Sequence, residues 1–201
     1  MIAPAFVDIG AETESVDLTK LVIDGEFGSG DVVVQTLTDA GLADKTYTYS
    51  KPRKGDWQWL DDDDNVVGEG DAVFAAGAGL WVVGVDGSAV KTAGQVSTSD
   101  RVIALVDGAV ACGNSTAVPL DLLSIVPSGE YGSGDIVIQT LTDAGLADKT
   151  YTFSKPRKGD WQWLDDEDNV VEEGDVVFPV GKGLWVVGVD GATLTIPGPT
   201  L

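Results

Sequence analysis

The chain contains no histidine and a single cysteine, and only 12 of its 201 residues are basic against 33 acidic ones, a formal net charge of −21. Each scarcity excludes a class of function. Without histidine there is no Ser–His–Asp or Cys–His machinery, no His-ligated zinc, and no side chain whose unperturbed pKa lies near neutrality. Catalysis is confined to carboxylate or lysine chemistry. A lone cysteine, Cys112, makes neither an intramolecular disulfide nor a cysteine-based metal site, and its setting in Val110-Ala111-Cys112-Gly113 suits a small buried thiol. Nucleic-acid binding needs basic patches, which an acidic body opposes. No run approaches the roughly 18 apolar residues of a membrane span, and the first ten residues lack the basic and long apolar regions of a signal peptide. The expectation is a non-enzymatic chain that binds neither nucleic acid nor membrane interior.

What is present is apolar enough to form a core. Hydrophobic residues make up 43% of the chain and charged residues 22%, near globular averages, while the 26 glycines point to many turns. The dominant feature is a duplication. Residues 26–87 recur as 130–191 at a constant offset of 104, with 52 of 62 positions identical. A period near 100 residues is the size of an independent domain rather than of a solenoid repeat. Residues 1–93 and 101–201 therefore read as two tandem domains joined by a small-polar linker at 94–100. Upstream, Ala5-Phe6-Val7-Asp8 aligns with Ala104-Leu105-Val106-Asp107, leaving about five extra residues between positions 111 and 118 of the second copy.

Five of the ten differences conserve volume or charge: Val32/Ile136, Val34/Ile138, Phe27/Tyr131, Tyr49/Phe153 and Asp63/Glu167. The others are Gly68/Glu172, Ala72/Val176, Ala75/Pro179, Ala76/Val180 and Ala78/Lys182. They gather around one glycine-rich stretch, the place where the copies would differ in partner.

Period-two patterning makes each copy all-β. Strands are predicted over 31–38, 46–50, 56–60, 72–74 and 80–85, with 193–196 closing the second copy. The acidic run at 61–65 reads as a hairpin turn into Val66-Val67, and one short helical turn is expected near 16–21 and again at 120–125. Six or seven short strands per 100 residues fit a β-sandwich or a small barrel, of which the sandwich is favoured. Antiparallel sheets leave free edges that a neighbouring chain can complete.

Three constellations stand out. Trp57, Trp59 and Trp81 recur as Trp161, Trp163 and Trp185. Exposed, such rings stack on sugars; buried, they fill a core or a subunit interface. Within each Trp-Gln-Trp, the ring at the strand end beside the charged loop is the one expected to be exposed. The run Asp61–Asn65, repeated at 165–169, gathers the hard oxygen ligands that calcium prefers, but the EF-hand pattern fails at its sixth and twelfth positions, Val66 and Ala72. That leaves carboxylates solvated at a hairpin tip, or an irregular calcium site drawing on Asp61, Asp63, Asp165 and Glu167. Apart from such calcium, no cofactor is expected. Lys51, Arg53 and Lys54, repeated as Lys155, Arg157 and Lys158, form with Lys45 and Lys149 eight of the 12 basic residues. Either these loops are solvated, or the basic loop of one domain meets the acidic tip of another.

The strand DVVVQTL, the hairpin GDWQWLDDDDNVV and the segment GDAVFAAGAGLWVVGVDGSAV resemble the β-repeats of secreted or surface-displayed bacterial structural proteins. The resemblance spans most of each copy and implies an extracellular or surface structural role without catalytic residues; a virion component suits the same features. The leading expectation is a structural protein that self-associates into a surface layer, filament or virion part. The alternative is a tandem carbohydrate-binding module.

Overall fold

Short β-branched stretches separated by glycine, aspartate and proline leave the chain few options beyond brief antiparallel strands, and the computed structural model is built of them. It describes residues 4–8, 15–38, 43–75, 79–91, 99–113, 118–142, 147–180 and 182–198. The first half holds β1 (Pro4–Asp8), β2 (Val16–Asp17), β3 (Val22–Asp24), β4 (Val32–Leu37), β5 (Ala43–Ser50), β6 (Gln58–Leu60), β7 (Val73–Phe74), β8 (Gly79–Val83) and β9 (Ala89–Lys91). The second holds β10 (Arg101–Ala104), β11 (Gly108–Gly113), β12 (Leu120–Asp121), β13 (Val126–Gly129), β14 (Ile136–Leu141), β15 (Ala147–Ser154), β16 (Gln162–Leu164), β17 (Val177–Phe178), β18 (Gly183–Gly188) and β19 (Ala192–Ile196).

Each half is organised on one five-stranded antiparallel sheet, ordered β1-β8-β4-β5-β6 in the first and β11-β18-β14-β15-β16 in the second. Alternation decides which face is buried. Along β4, Val32 and Val34 point inward, as do Leu80 and Val82 of β8, Tyr47 of β5 and Trp59 of β6. The layer over that face is not a second full sheet. It consists of the short ladders β2-β7 and β3-β9 with a 3₁₀ turn at Leu18–Lys20, where Leu18 is fully buried. The second half repeats this with β12-β17, the sheet β10-β19-β13 and a 3₁₀ turn at Leu122–Ser124. Both turns fall where the short helical turns were expected. Residues 16–82 and residues 103–196 supply two distinct hydrophobic clusters. The two large sheets approach each other where β1 and β8 face β11 and β18.

A carboxylate fastens each cover to its turn. Asp17 accepts from the backbone N–H and the hydroxyl of Thr19 and, across 53 residues, from Gly70 N–H at 2.6 Å. Asp121 likewise accepts from Leu123 N–H and from Gly174 N–H at 2.8 Å. The partial burial of Asp17 pushes its pKa up, but the hydrogen bonds from Thr19 and Gly70 together outweigh this and hold it below its ordinary value.

Strand register corrects the alignment of the two N-terminal segments. Phe6 pairs with Trp81, and Ala111 pairs with Trp185. The counterpart of β1 is therefore β11, so residues 5–8 correspond to 110–113 and not to 104–107. No five-residue insertion follows β11: seven positions separate Gly113 from Leu120, and eight separate Asp8 from Val16. Among the described residues only the second half carries a strand, β10, on the outer edge of its last strand, β19. Local similarity misleads here because apolar strand starts look alike whichever partner they pair with. The linker at 94–100 lies largely outside the described residues. Of its positions Ser99 and Asp100 are described, and Asp100 accepts from Gly198 N–H at 3.0 Å.

Candidate functional site

The β5–β6 hairpin carries both charged loops and two of the three tryptophans of its half. Its register, Ser50↔Gln58 to Thr48↔Leu60, places residues 51–57 at one end of the hairpin. The acidic run follows Leu60 at the other end, where the Asp62 carboxylate accepts from Thr46 N–H. From Thr46 to Lys51 the strand rises about 17 Å. Basic loop and acidic tip therefore occupy opposite ends of one structural unit. In the second half β15 and β16 keep the same register, with Ser154↔Gln162 and Thr152↔Leu164.

At the basic end the side chains build an aromatic stack. Trp57, half-buried, lies parallel to Tyr49 with centroids 5.2 Å apart and 13° between the planes, and takes the edge of Phe27 at 5.0 Å. Trp59 packs obliquely on Tyr49 at 4.9 Å and is only 3% exposed. Lys51 sets its ammonium over the Trp57 ring at 5.9 Å, a cation–π distance. The second half repeats the stack with Phe153 on Trp161 at 5.2 Å and 9°, Tyr131 edge-on to Trp161, and Lys155 over that ring. Burial pushes the Tyr49 phenol up. Thr-Tyr-Thr-Tyr puts residues 47 and 49 on the core face, a signal in the sequence that could have named Tyr49 as a partner of the tryptophans. Phe27 comes from a separate loop, and no local pattern announces it.

Trp81 does not join this group. It lies between the inward-facing Leu80 and Val82, so alternation turns it to the opposite face of the sheet, where it is half-buried; Trp185 is placed alike. The three tryptophans of each copy are thus divided between two faces and do not line one platform. Beyond Lys51, the basic loop continues as exposed Pro52, Arg53 and Lys54, and 155–158 do the same. The ion pairs Lys20–Glu69 and Lys91–Asp24 are both exposed and both lie outside these loops.

At the acidic end, Asp61 organises its own turn. Its Oδ1 accepts from the N–H groups of Asp63 and Asn65 at 3.0 and 2.8 Å, and the Asn65 side-chain amide donates to both of its oxygens. The Asn65 backbone N–H is the main reason the Asp61 carboxyl is held below its ordinary value; Asp165 is lowered by the same bond from Asn169. Asp64 and Asp168 sit in the left-handed region with φ of 61° and 62°. Asp61 is thus a turn-forming residue. Among the described residues no group of three or more carboxylates or thiolates is arranged to hold a metal ion. Beside the tip opens a cleft of about 390 Å³ lined by Asp61, Asp62, Asp63 and Asp71, with Lys45 and Tyr47 on its wall. Lys45 and Asp71 reach it from separate elements. Cys112, 1% exposed, belongs to the second hydrophobic cluster.

No protein-family model, no curated protein and no solved structure matches the chain.

Proposed function

We propose that the chain is a non-enzymatic structural protein, extracellular, at a cell surface or in a virion, whose copies associate end to end, basic loop against acidic tip, into a surface layer, filament or virion component. The observation that carries this reading is the placement of residues 51–54 and 61–64 at opposite ends of the β5–β6 hairpin, repeated at 155–158 and 165–168. A unit with positive charge at one end and negative charge at the other contacts its neighbour head to tail, a heterologous arrangement that propagates. The acidic cleft beside Asp61 and Asp71 suits the entry of a lysine or arginine side chain. Lys51, held over Trp57, stiffens the start of the basic loop, so less freedom is lost on contact.

Light scattering after size exclusion, with negative-stain microscopy, tests the reading. Assemblies should grow with protein concentration and shrink as NaCl is raised. They should be lost in the variant Arg53→Glu/Lys54→Glu/Arg157→Glu/Lys158→Glu. A strictly monomeric protein at high concentration and low salt, with or without calcium, overturns it.

The second reading, tandem carbohydrate binding, rests on the half-exposed Trp57 and Trp161, each extended by a coplanar ring. A glycan array read with the Trp57→Ala/Trp161→Ala variant decides it: no binding, or binding that survives the substitutions, removes the idea.

A further inference from the structure

Each half opens a cleft on the same three side chains, and the two clefts differ in charge. In the first half Lys45, Tyr47 and Asp71 share a cleft of about 390 Å³ with Asp61, Asp62 and Asp63. Their equivalents at the offset of 104, Lys149, Tyr151 and Asp175, line a cleft of about 250 Å³ together with Thr140, Asp148 and Lys182. The first cleft thus sets four carboxylates against one ammonium, and the second sets two against two.

One of the two cations in the second cleft comes from a substitution between the copies. Lys182 stands where the first half has Ala78 in the sequence, one of the five changes that conserve neither volume nor charge. Its backbone N–H donates to Pro179 C=O at 3.0 Å, and its Nζ donates to Leu141 C=O at 3.5 Å, so the half-buried side chain lies along the cleft wall. A lysine gives up hydration and rotamer freedom in such a place, and negative charge must compensate. Tyr151 registers that charge. Burial first, and then Asp166, Asp148 and Asp165, push its phenol up. The second half therefore supplies from its own chain the kind of group that a carboxylate-lined cleft attracts. The first cleft carries more carboxylate, and its lining includes Lys45 as the one cation.

We propose that the first cleft is the acceptor in end-to-end association, taking an arginine or lysine side chain from the basic loop of a second copy, and that Lys182 occupies the second cleft in cis and closes it to such a partner. The proposal rests on the end-to-end reading and narrows it, since of the two acidic tips in each chain one receives a neighbour. Charge complementarity favours the first cleft, where a net excess of carboxylate meets the incoming cation. At the second cleft the same cation meets Lys182 as a like charge, which selects against that position. Lys182 is in this sense a specificity-determining residue, and the duplication has given one chain two tips of similar sequence with different tasks.

The probe is the tetrapeptide Lys-Pro-Arg-Lys, acetylated and amidated, titrated into the full-length chain at about 0.15 M NaCl while amide signals are followed by NMR. Saturable shifts are expected at Lys45, Tyr47 and Asp71 and none at Lys149, Tyr151 and Asp175. In the Lys182→Ala chain both sets should respond. Asp62→Asn/Asp63→Asn should weaken peptide binding and assembly at least about tenfold, and Asp166→Asn/Glu167→Gln should change either by less than about twofold. Equal response of the two clefts in the unmodified chain, no saturable response at the first, or a silent second cleft after Lys182→Ala overturns the proposal. A chain that stays monomeric removes end-to-end association, while the peptide map still decides which cleft takes a cation. Assemblies that both tip variants weaken alike keep that association and remove its assignment to the first half. The map on the unmodified chain decides the matter if a variant misfolds.

Discussion

Leu105 lies over Gly188 so closely that a β-carbon on the glycine would come within 2.6 Å of Leu105 Cδ1. The seating of the segment that follows β10 therefore depends on the absence of a side chain in β18. Gly188→Ala must push Leu105 outward, and overpacking of this kind costs about 1–3 kcal/mol. Gly84→Ala, at the equivalent position of the first half, meets the Ser88 hydroxyl at 2.7 Å and should cost less. Denaturant unfolding of the two variants, followed by tryptophan fluorescence, checks the order.

The aromatic stack should show a graded response. Trp59→Ala and Trp163→Ala remove buried rings and should destabilise by about 3–5 kcal/mol. Trp57→Ala and Trp161→Ala remove half-buried rings whose partners are Tyr49 or Phe153 and the overlying lysine, and about 1–2 kcal/mol is expected. Guanidinium midpoints of the single variants provide the comparison.

A close backbone approach sets another limit. Gly25, at φ +99°, would bring a β-carbon to 2.0 Å from Gly87 C=O, and Gly129 repeats this with Gly191 at 2.3 Å. Gly25→Ala should therefore cost more than about 1 kcal/mol, whereas Asp64→Gly, which frees a left-handed aspartate, should stabilise by about 0.5 kcal/mol. Thermal melts of both variants at neutral pH test the contrast.

Acid should loosen the acidic tips in a defined sense. Asp61 and Asp165 are lowered by hydrogen bonds from Asn65 and Asn169, and Asp17 by those from Thr19 and Gly70 in spite of its burial. Groups with depressed values contribute stability that is complete above the unfolded value near 3.9 and is lost as pH falls through the lowered one. Urea midpoints measured from pH 5 down to pH 2 should fall less steeply for Asp61→Asn/Asp165→Asn than for the unmodified chain.

Salt should act with opposite signs on stability and on association. A charge of −21 repels itself within the folded chain, so added NaCl should raise the melting temperature, while the same screening weakens contacts between basic loops and acidic tips. Calorimetry and light scattering over one NaCl series should move in opposite directions.

Much of this protein is decided within short stretches of its chain. Threonine and tyrosine alternating over 46–49 make a strand with one aromatic face, Asp61 followed by Asn65 closes its own turn, and position 57, at the strand end, leaves its ring half-exposed while Trp59 goes under. The duplication ensures that each of these occurs twice. Strand partnership is of another kind, because a strand's hydrophobic period states which face is buried but not which edge lies beside which. Residues 5–7 and 104–106 look interchangeable as sequence. Only pairing across the sheet assigns the first to Trp81 and the second to the edge of β19, and only packing brings Phe27 to Trp57. Those contacts join residues tens of positions apart, and their energy comes from apolar area and backbone bonds that exist only once the sheet has formed.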